Sequence, residues 1–156
     1  MAEFGSDEQR TFLILSSNHP DASDAATADA GRPARPPFLD EAAAFARGGL
    51  SGWQRRKVAD YIEAHIGDDL PLPMLAKLVN LSPYHFARAF KRSFGLPPHR
   101  YHMARRIARA KAMLDEPTRT ITDIARQLGF AETSSFSAAF RRATGISPSR
   151  YRRSRT

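Results

Sequence analysis

The chain has 156 residues, a hydrophobic fraction of 42% and a formal net charge of +8, which is length for one or two small domains and apolar content for a packed core. It contains no cysteine, which removes disulfides, thiolate metal sites and a cysteine nucleophile together. No apolar run approaches the ~18 residues of a membrane span, and the N-terminus lacks a basic region followed by a long apolar stretch, so a cytosolic protein without a membrane partner is expected.

The charge is unevenly divided. Residues 51 to 156 carry 20 Lys and Arg against 8 Asp and Glu, a net +12, while residues 1 to 50 carry 4 against 8, a net −4. A basic globular part behind an acidic, Pro- and Ala-rich lead fits a polyanion-binding domain with a poorly ordered arm. The plain alternative is surface charge that serves solubility.

In chain order, Phe12 to Leu15 is too short for a signal core and reads as a stray strand or an unrelated remnant. Ser16 to Pro37 is rich in small residues and almost free of bulky apolar groups, the composition of a linker or disordered arm. Asp40 is placed to cap a short helix through Arg47, ended by Gly48 and Gly49. The compact domain begins near Ser51. From Trp53, apolar residues recur at helical spacing, with Val58, Tyr61, Ile62 and Ile66 on one face. A second helix is expected over Leu72 to Val79, with Pro71 and Pro73 tolerated around its first turn and Asn80 able to take a left-handed turn after it. Ser82 then Pro83 is a strong start signal for a third helix, which Gly95 stops. Pro97 and Pro98 open a long amphipathic helix, reaching about residue 115. Its inner face is read as Met103, Ile107, Ala110 and Leu114, and its outer face as Arg100, Arg105, Arg106, Arg109 and Lys111. Thr120 with Asp123 resembles a capping box for a helix that Gly129 ends. Glu132 to Thr144, Gly145 and a short helix from Ser147 complete the plan, which contains no strand. The fold class is all-α, with about seven helices.

Residues 72 to 101 and 121 to 151 are imperfect copies of one pattern. Phe86, Phe90, Gly95, Pro98 and Tyr101 return fifty residues later as Phe136, Phe140, Gly145, Pro148 and Tyr151. Upstream the offset drops by one, so that Leu72, Leu75 and Ala76 match Ile121, Ile124 and Ala125, which puts an extra residue near Ala131 and Glu132, where a loop accepts it. Each copy has what a helix-turn-helix needs: a first helix that props a second, whose exposed face enters the major groove. The first unit spans about 72–94, the linker helix about 98–115 and the second unit about 121–144, as homeodomain-like subdomains joined by a long helix. A linker of ~16 residues spans ~24 Å at 1.5 Å per residue, enough to hold two recognition helices about one duplex turn, ~34 Å, apart.

In the third helix Phe86, Ala89 and Phe90 form the inward stripe and leave Tyr84, Ala87, Arg88 and Lys91 outward; in the second copy Phe136, Ala139 and Phe140 face in, and Thr133, Ser134, Ser137, Ala138 and Arg141 face out. Arg88 is the main candidate base reader, since a mid-helix Arg can pair bidentately with guanine. For Tyr84 two roles stay open, a contact to a base edge, thymine methyl or phosphate, or a ring that covers the core. His85 is read as half-packed against the turn. Ser82, Lys91, Arg92, Arg141 and Arg142 are candidates for phosphate contact, which gives affinity without sequence information. The copies differ in their exposed residues, so an asymmetric site bound by a monomer is expected, with dimerisation through the arm left open.

The segments SPYHFARAFKRSFGLPPHRY, RRIARAKAMLDEPTRTITDIARQLGF and FSAAFRRATGISPSRY resemble the AraC/XylS family of bacterial transcription regulators over about residues 53 to 153. The resemblance implies a seven-helix DNA-binding domain with recognition helices in successive major grooves of double-stranded promoter DNA, commonly bending it, and contact with RNA polymerase, as in an activator. By position it assigns base-facing roles to Tyr84, Ala87 and Arg88, and to Thr133, Ser134, Ser137 and Ala138. Family members frequently carry Gln or Arg on the second exposed face where this chain has Ser137 and Ala138, which points there to phosphates, shape or contact of Ala138 with a thymine methyl. Many members also carry an effector-binding barrel ahead of this domain, for which residues 1 to 50 are too few.

Two other functional classes compete with this reading. An enzyme finds little support: the acidic residues of 51 to 156 fall as caps or near helix ends, and no trio suggests a two-metal nuclease. His99 and His102 lie at i and i+3 without a carboxylate or thiol partner and are read as exposed groove-side histidines. DNA-repair methyltransferases that contain a domain of this family use cysteine, which is missing. No catalytic residue, metal ligand or cofactor is therefore expected. The second alternative is a non-specific architectural DNA-binding module.

Overall fold

A computed structural model describes residues 48–155, within which the chain forms seven helices and no strand. The expected strand near Phe12, the arm and the helix from Asp40 lie outside the described residues. The helices are α1 (Gly52–Ala64), α2 (Leu72–Leu78), α3 (Pro83–Phe94), α4 (Pro98–Leu114), α5 (Ile121–Gln127), α6 (Thr133–Thr144) and α7 (Pro148–Arg153).

Local chemistry explains the helix ends. Ser51 and Gln54 form a reciprocal capping box at the start of α1. The turns of the two copies close in the same way. In the first, Asn80 takes φ 55° and Leu81 N–H donates to Ala76 O at 3.1 Å; in the second, Gly129 takes φ 75° and Phe130 N–H donates to Ala125 O at 3.0 Å. Both are left-handed C-caps of the Schellman type, so the turn between the paired helices is built by backbone hydrogen bonds that only a residue tolerant of positive φ permits. The Ser82 hydroxyl accepts from His85 N–H at the start of α3. Thr120 does the same for Asp123 N–H at α5, while its hydroxyl donates to the Asp123 carboxylate at 2.6 Å. That carboxylate thus closes on the cap side chain, where a full capping box would close on the cap backbone.

Burial separates into two cores, one per unit. The first gathers Val58 and Ile62 of α1, Leu75 of α2 and Phe86 and Phe90 of α3; the second gathers Ile107 and Leu114 of α4, Ile124 of α5 and Phe136 and Phe140 of α6. The aromatic packing repeats with the sequence. Phe90 meets Tyr101 edge-on at 5.4 Å, and Phe140 meets Tyr151 edge-on at 5.5 Å, the arrangement that ring quadrupoles favour.

The long helix α4 departs from its expected faces. Ile107, Ala110 and Leu114 are buried, but Met103 is exposed, and Tyr101 and His102 are buried in its place. The reason is that α4 serves two cores from two sides: its N-terminal half turns Tyr101 to the first unit, and its C-terminal half turns Ile107 and Leu114 to the second. Met103 continues the second stripe into a stretch the second unit does not reach. Arg105 and Arg106 are likewise not outer-face residues. Arg105 pairs with Glu63 of α1, and Arg106 donates to Ile66 O and Asp68 O, both at 2.8 Å. His102 is not groove-side either; its Nε2 lies 3.0 Å from Ile66 O.

Candidate nucleic-acid interface

With the aromatic stripe of α3 fully buried, its other side is presented to solvent. Tyr84 is the most exposed large apolar side chain among the described residues at 65%, which removes the reading of its ring as core cover. Arg88, one turn on, is exposed, and its Nη1 donates to the Tyr84 hydroxyl at 3.0 Å, with the guanidinium 5.7 Å from the ring centre. The pair forms one outward unit at spacing i, i+4. Ala87 is half-buried beside a shallow recess of about 190 Å³ that Leu72, Pro98 and His99 also line. Ser82 is exposed and is occupied with the cap of α3. His85 is exposed as well and not packed against the turn, its Nδ1 lying 2.8 Å from the Ser82 hydroxyl.

In α6 Ser134 and Ala138 are exposed, whereas Thr133 and Ser137 are half-buried, and Thr133 Oγ1 donates to Thr122 Oγ1 of α5 at 3.4 Å. Thr122 therefore lies beside the outward face of α6, a neighbour that the residue pattern of α6 alone does not reveal. Lys91, Arg92, Arg141 and Arg142 are exposed in the last turns of α3 and α6. Position at a helix C-terminus already favours cations through the backbone dipole, so these four have a structural reason to be basic apart from any ligand. Arg92 also lies against Gly48, where an added Cβ would meet its Nη1 at 2.1 Å.

The two outward faces thus differ chemically. The α3 face carries an aromatic ring and a forked guanidinium; the α6 face carries short hydroxyls and a methyl. The former can make planar, two-pronged hydrogen bonds, and the latter close approach and single hydrogen bonds. No group of three or more His, Cys, Asp and Glu side chains that could hold a metal ion occurs among the described residues. Nor is any described helix long and apolar enough to cross a membrane.

Two helix-turn-helix units with outward second helices, joined by a single long helix, define a tandem helix-turn-helix protein. Comparison with known proteins agrees. A family model described as a helix-turn-helix domain matches residues 75–154. The regulatory protein PocR of Salmonella typhimurium is 40% identical over 81 residues, 52% of this chain and 27% of PocR. Among solved structures, an AraC-type DNA-binding-domain transcriptional regulator from Chromobacterium violaceum matches with a TM-score of 0.62 at 27% identity, over 66% of this chain and 92% of that one. The C-terminal domain of AraT, a response regulator from Geobacillus stearothermophilus, matches with a TM-score of 0.62 at 33% identity, over 69% and 88%. The DNA-binding domain of AdpA, solved in complex with a target DNA, shares the fold with a TM-score of 0.60 at 24% identity, over 64% and 89%. The chain belongs to the AraC-type helix-turn-helix family of bacterial DNA-binding transcription regulators, which is not a family of enzymes.

Proposed function

We propose that the chain is a sequence-specific regulator that seats α3 and α6 in successive major grooves of promoter DNA as a monomer, and that it acts as an activator through contact with RNA polymerase. In this reading residues 51 to 156 form the DNA-binding unit and residues 1 to 50 an appended arm. Tyr84, Ala87 and Arg88 read bases from α3; Thr133, Ser134, Ser137 and Ala138 face bases from α6. Ser82, Lys91, Arg92, Arg141 and Arg142 hold phosphates. The observation that carries the reading is the same helix presented twice, each copy with its aromatic stripe at zero exposure and its opposite side outward. One-sided burial is what a recognition helix requires, and that AdpA's domain, of the same fold, was solved on target DNA supports it.

The unequal faces assign unequal work. Arg88 offers the two-pronged donor that guanine O6 and N7 accept, whereas Ala138, its counterpart in the second copy, offers a methyl. The site should therefore be asymmetric, with its sharper sequence requirement in the block under α3.

Selection of bound duplexes from a random pool, followed by affinities for the winner and for scrambled DNA across a salt series, tests this. The expected result is an asymmetric site of two blocks about one turn apart, bound roughly a thousandfold or more tighter than scrambled duplex at equal salt. Uniform, salt-sensitive binding without enrichment would support the architectural alternative. Activation is checked separately, by placing the selected site upstream of a reporter promoter and looking for increased transcription that a deletion of the chain abolishes.

A further inference from the structure

The loop between α1 and α2 belongs by sequence to the first unit, yet it touches the second. Ile66 packs against both cores. Next to it Gly67 lies on the turn that follows α5: an added Cβ on Gly67 would sit 2.5 Å from Gln127 O, and one on Gly129 would sit 1.9 Å from Gly67 O. Neither distance is possible for a real side chain, so two glycines meet backbone to backbone across the boundary between the units. Arg106, projecting from the middle of α4, holds the loop in place. Its Nε donates to Ile66 O and its Nη2 to Asp68 O, and its guanidinium lies 5.6 Å from the Phe130 ring of the second unit. His102 Nε2 adds a contact to Ile66 O at 3.0 Å.

A single connecting helix fixes the separation of two bodies but leaves rotation about its axis to local packing. A second attachment away from that axis removes the rotation. We propose that the clamp formed by Arg106, Ile66, Gly67 and Gly129 locks the two helix-turn-helix units into one orientation, and so makes the spacing between the two blocks of the DNA site a specificity determinant in its own right. This rests on the two-groove reading above. Inserting one base pair between the blocks moves the second by about 3.4 Å along the duplex and turns it by roughly 35°. A locked pair of units can follow neither change, whereas an unlocked pair can follow the turn and so loses less. Arg106, Gly67 and Gly129 are positioning residues in this account and touch no base.

Two readouts on the full chain test it. Because the chain has no cysteine, Lys77→Cys and Ser149→Cys place spin labels on exposed positions of α2 and α7, one per unit, without background. The parent should give one narrow distance distribution, and Gly67→Ala and Arg106→Ala a broadened or shifted one. Gly145→Ala is the control: Gly145 has φ 81°, like Gly129 with 75°, but an added Cβ there meets nothing within 4 Å, so the distribution should stay narrow. The second readout is affinity for the selected duplex with one base pair inserted or removed between its blocks. The parent should lose about tenfold or more, and the two clamp variants, with melting curves showing them folded, under about threefold relative to their own best spacing. Gly67→Ala leaves the charge unchanged, so its effect cannot come from lost phosphate attraction. Unchanged distance distributions in both variants overturn the clamp. Broadened distributions with an undiminished spacing penalty overturn its role in specificity. A parent that binds selected and scrambled duplexes alike overturns the two-groove reading, and the spacing proposal with it, whatever the spin labels show.

Discussion

Arg88 and Arg142 are both exposed arginines on recognition helices, but their settings differ. Arg88 lies mid-helix and is gathered against Tyr84, a geometry suited to a base edge; Arg142 lies in the last turn, where the dipole already favours it. Arg88→Ala should therefore cost about 1–3 kcal/mol on the selected site and leave scrambled DNA nearly unaffected. Arg142→Ala should weaken all duplexes alike and reduce the slope of log affinity against log salt by about 1. Titrations of both variants on both duplexes check this, and equal losses everywhere from Arg88→Ala would remove it as a base reader. His102 gives a second residue-scale expectation. Burial, and then the neighbouring Arg106 charge, hold its pKa below the usual histidine value, against smaller opposing effects of the Ile66 carbonyl, Asp69 and Glu63. The folded state thus favours neutral His102 more than the unfolded chain does. Its stabilising share is complete above about pH 6.5, the unfolded value, and is lost as pH falls through the lower folded value. The melting temperature should decline as pH falls below about 6.5, less steeply in His102→Gln, which keeps an N–H donor for Ile66 O and takes up no proton.

At the scale of elements, the two copies serve as internal controls for each other. Ser82 caps α3 with its hydroxyl, while Glu132, at the equivalent position before α6, makes no side-chain cap hydrogen bond. Ser82→Ala should destabilise by about 1 kcal/mol and Glu132→Ser should stabilise by up to a similar amount, measured by denaturant unfolding. The gain is limited by the favourable placement of a carboxylate at a helix N-terminus, which Glu132 already supplies. Phe86 and Phe136, equivalent and both at zero exposure, should each cost about 3–5 kcal/mol when cut to alanine. The repeat itself was legible in the sequence because its marks are local: Gly95 and Gly145 that end the second helix of each unit, Pro98 and Pro148 that open the next one, and aromatic stripes at helical spacing. The missing second cap was less so, because Glu132 tells by identity that it is acidic and not whether its carboxylate turns toward the helix end.

At the scale of the whole molecule, affinity for DNA combines a charge of +12 on residues 51 to 156 with the relative placement of two faces. The first contribution should appear as a steep salt dependence on any duplex, shared by selected and scrambled DNA; the ratio between them should depend far less on salt. The all-helical class, the duplicated helix-turn-helix, the outward side of α3 and the charge follow from the residues alone, because periodicity, capping and turn conformation depend on residues within a few positions of one another. Where α4 changes its buried side, so that Met103 lies outside and His102 within, depends on how the two units pack along it. Only the tertiary structure joined Arg106 to a loop 40 residues earlier and set Gly67 against Gly129. Those contacts link segments far apart in the chain through backbone carbonyls, which every residue type carries, and no pattern of side chains announces which carbonyl a distant arginine will meet.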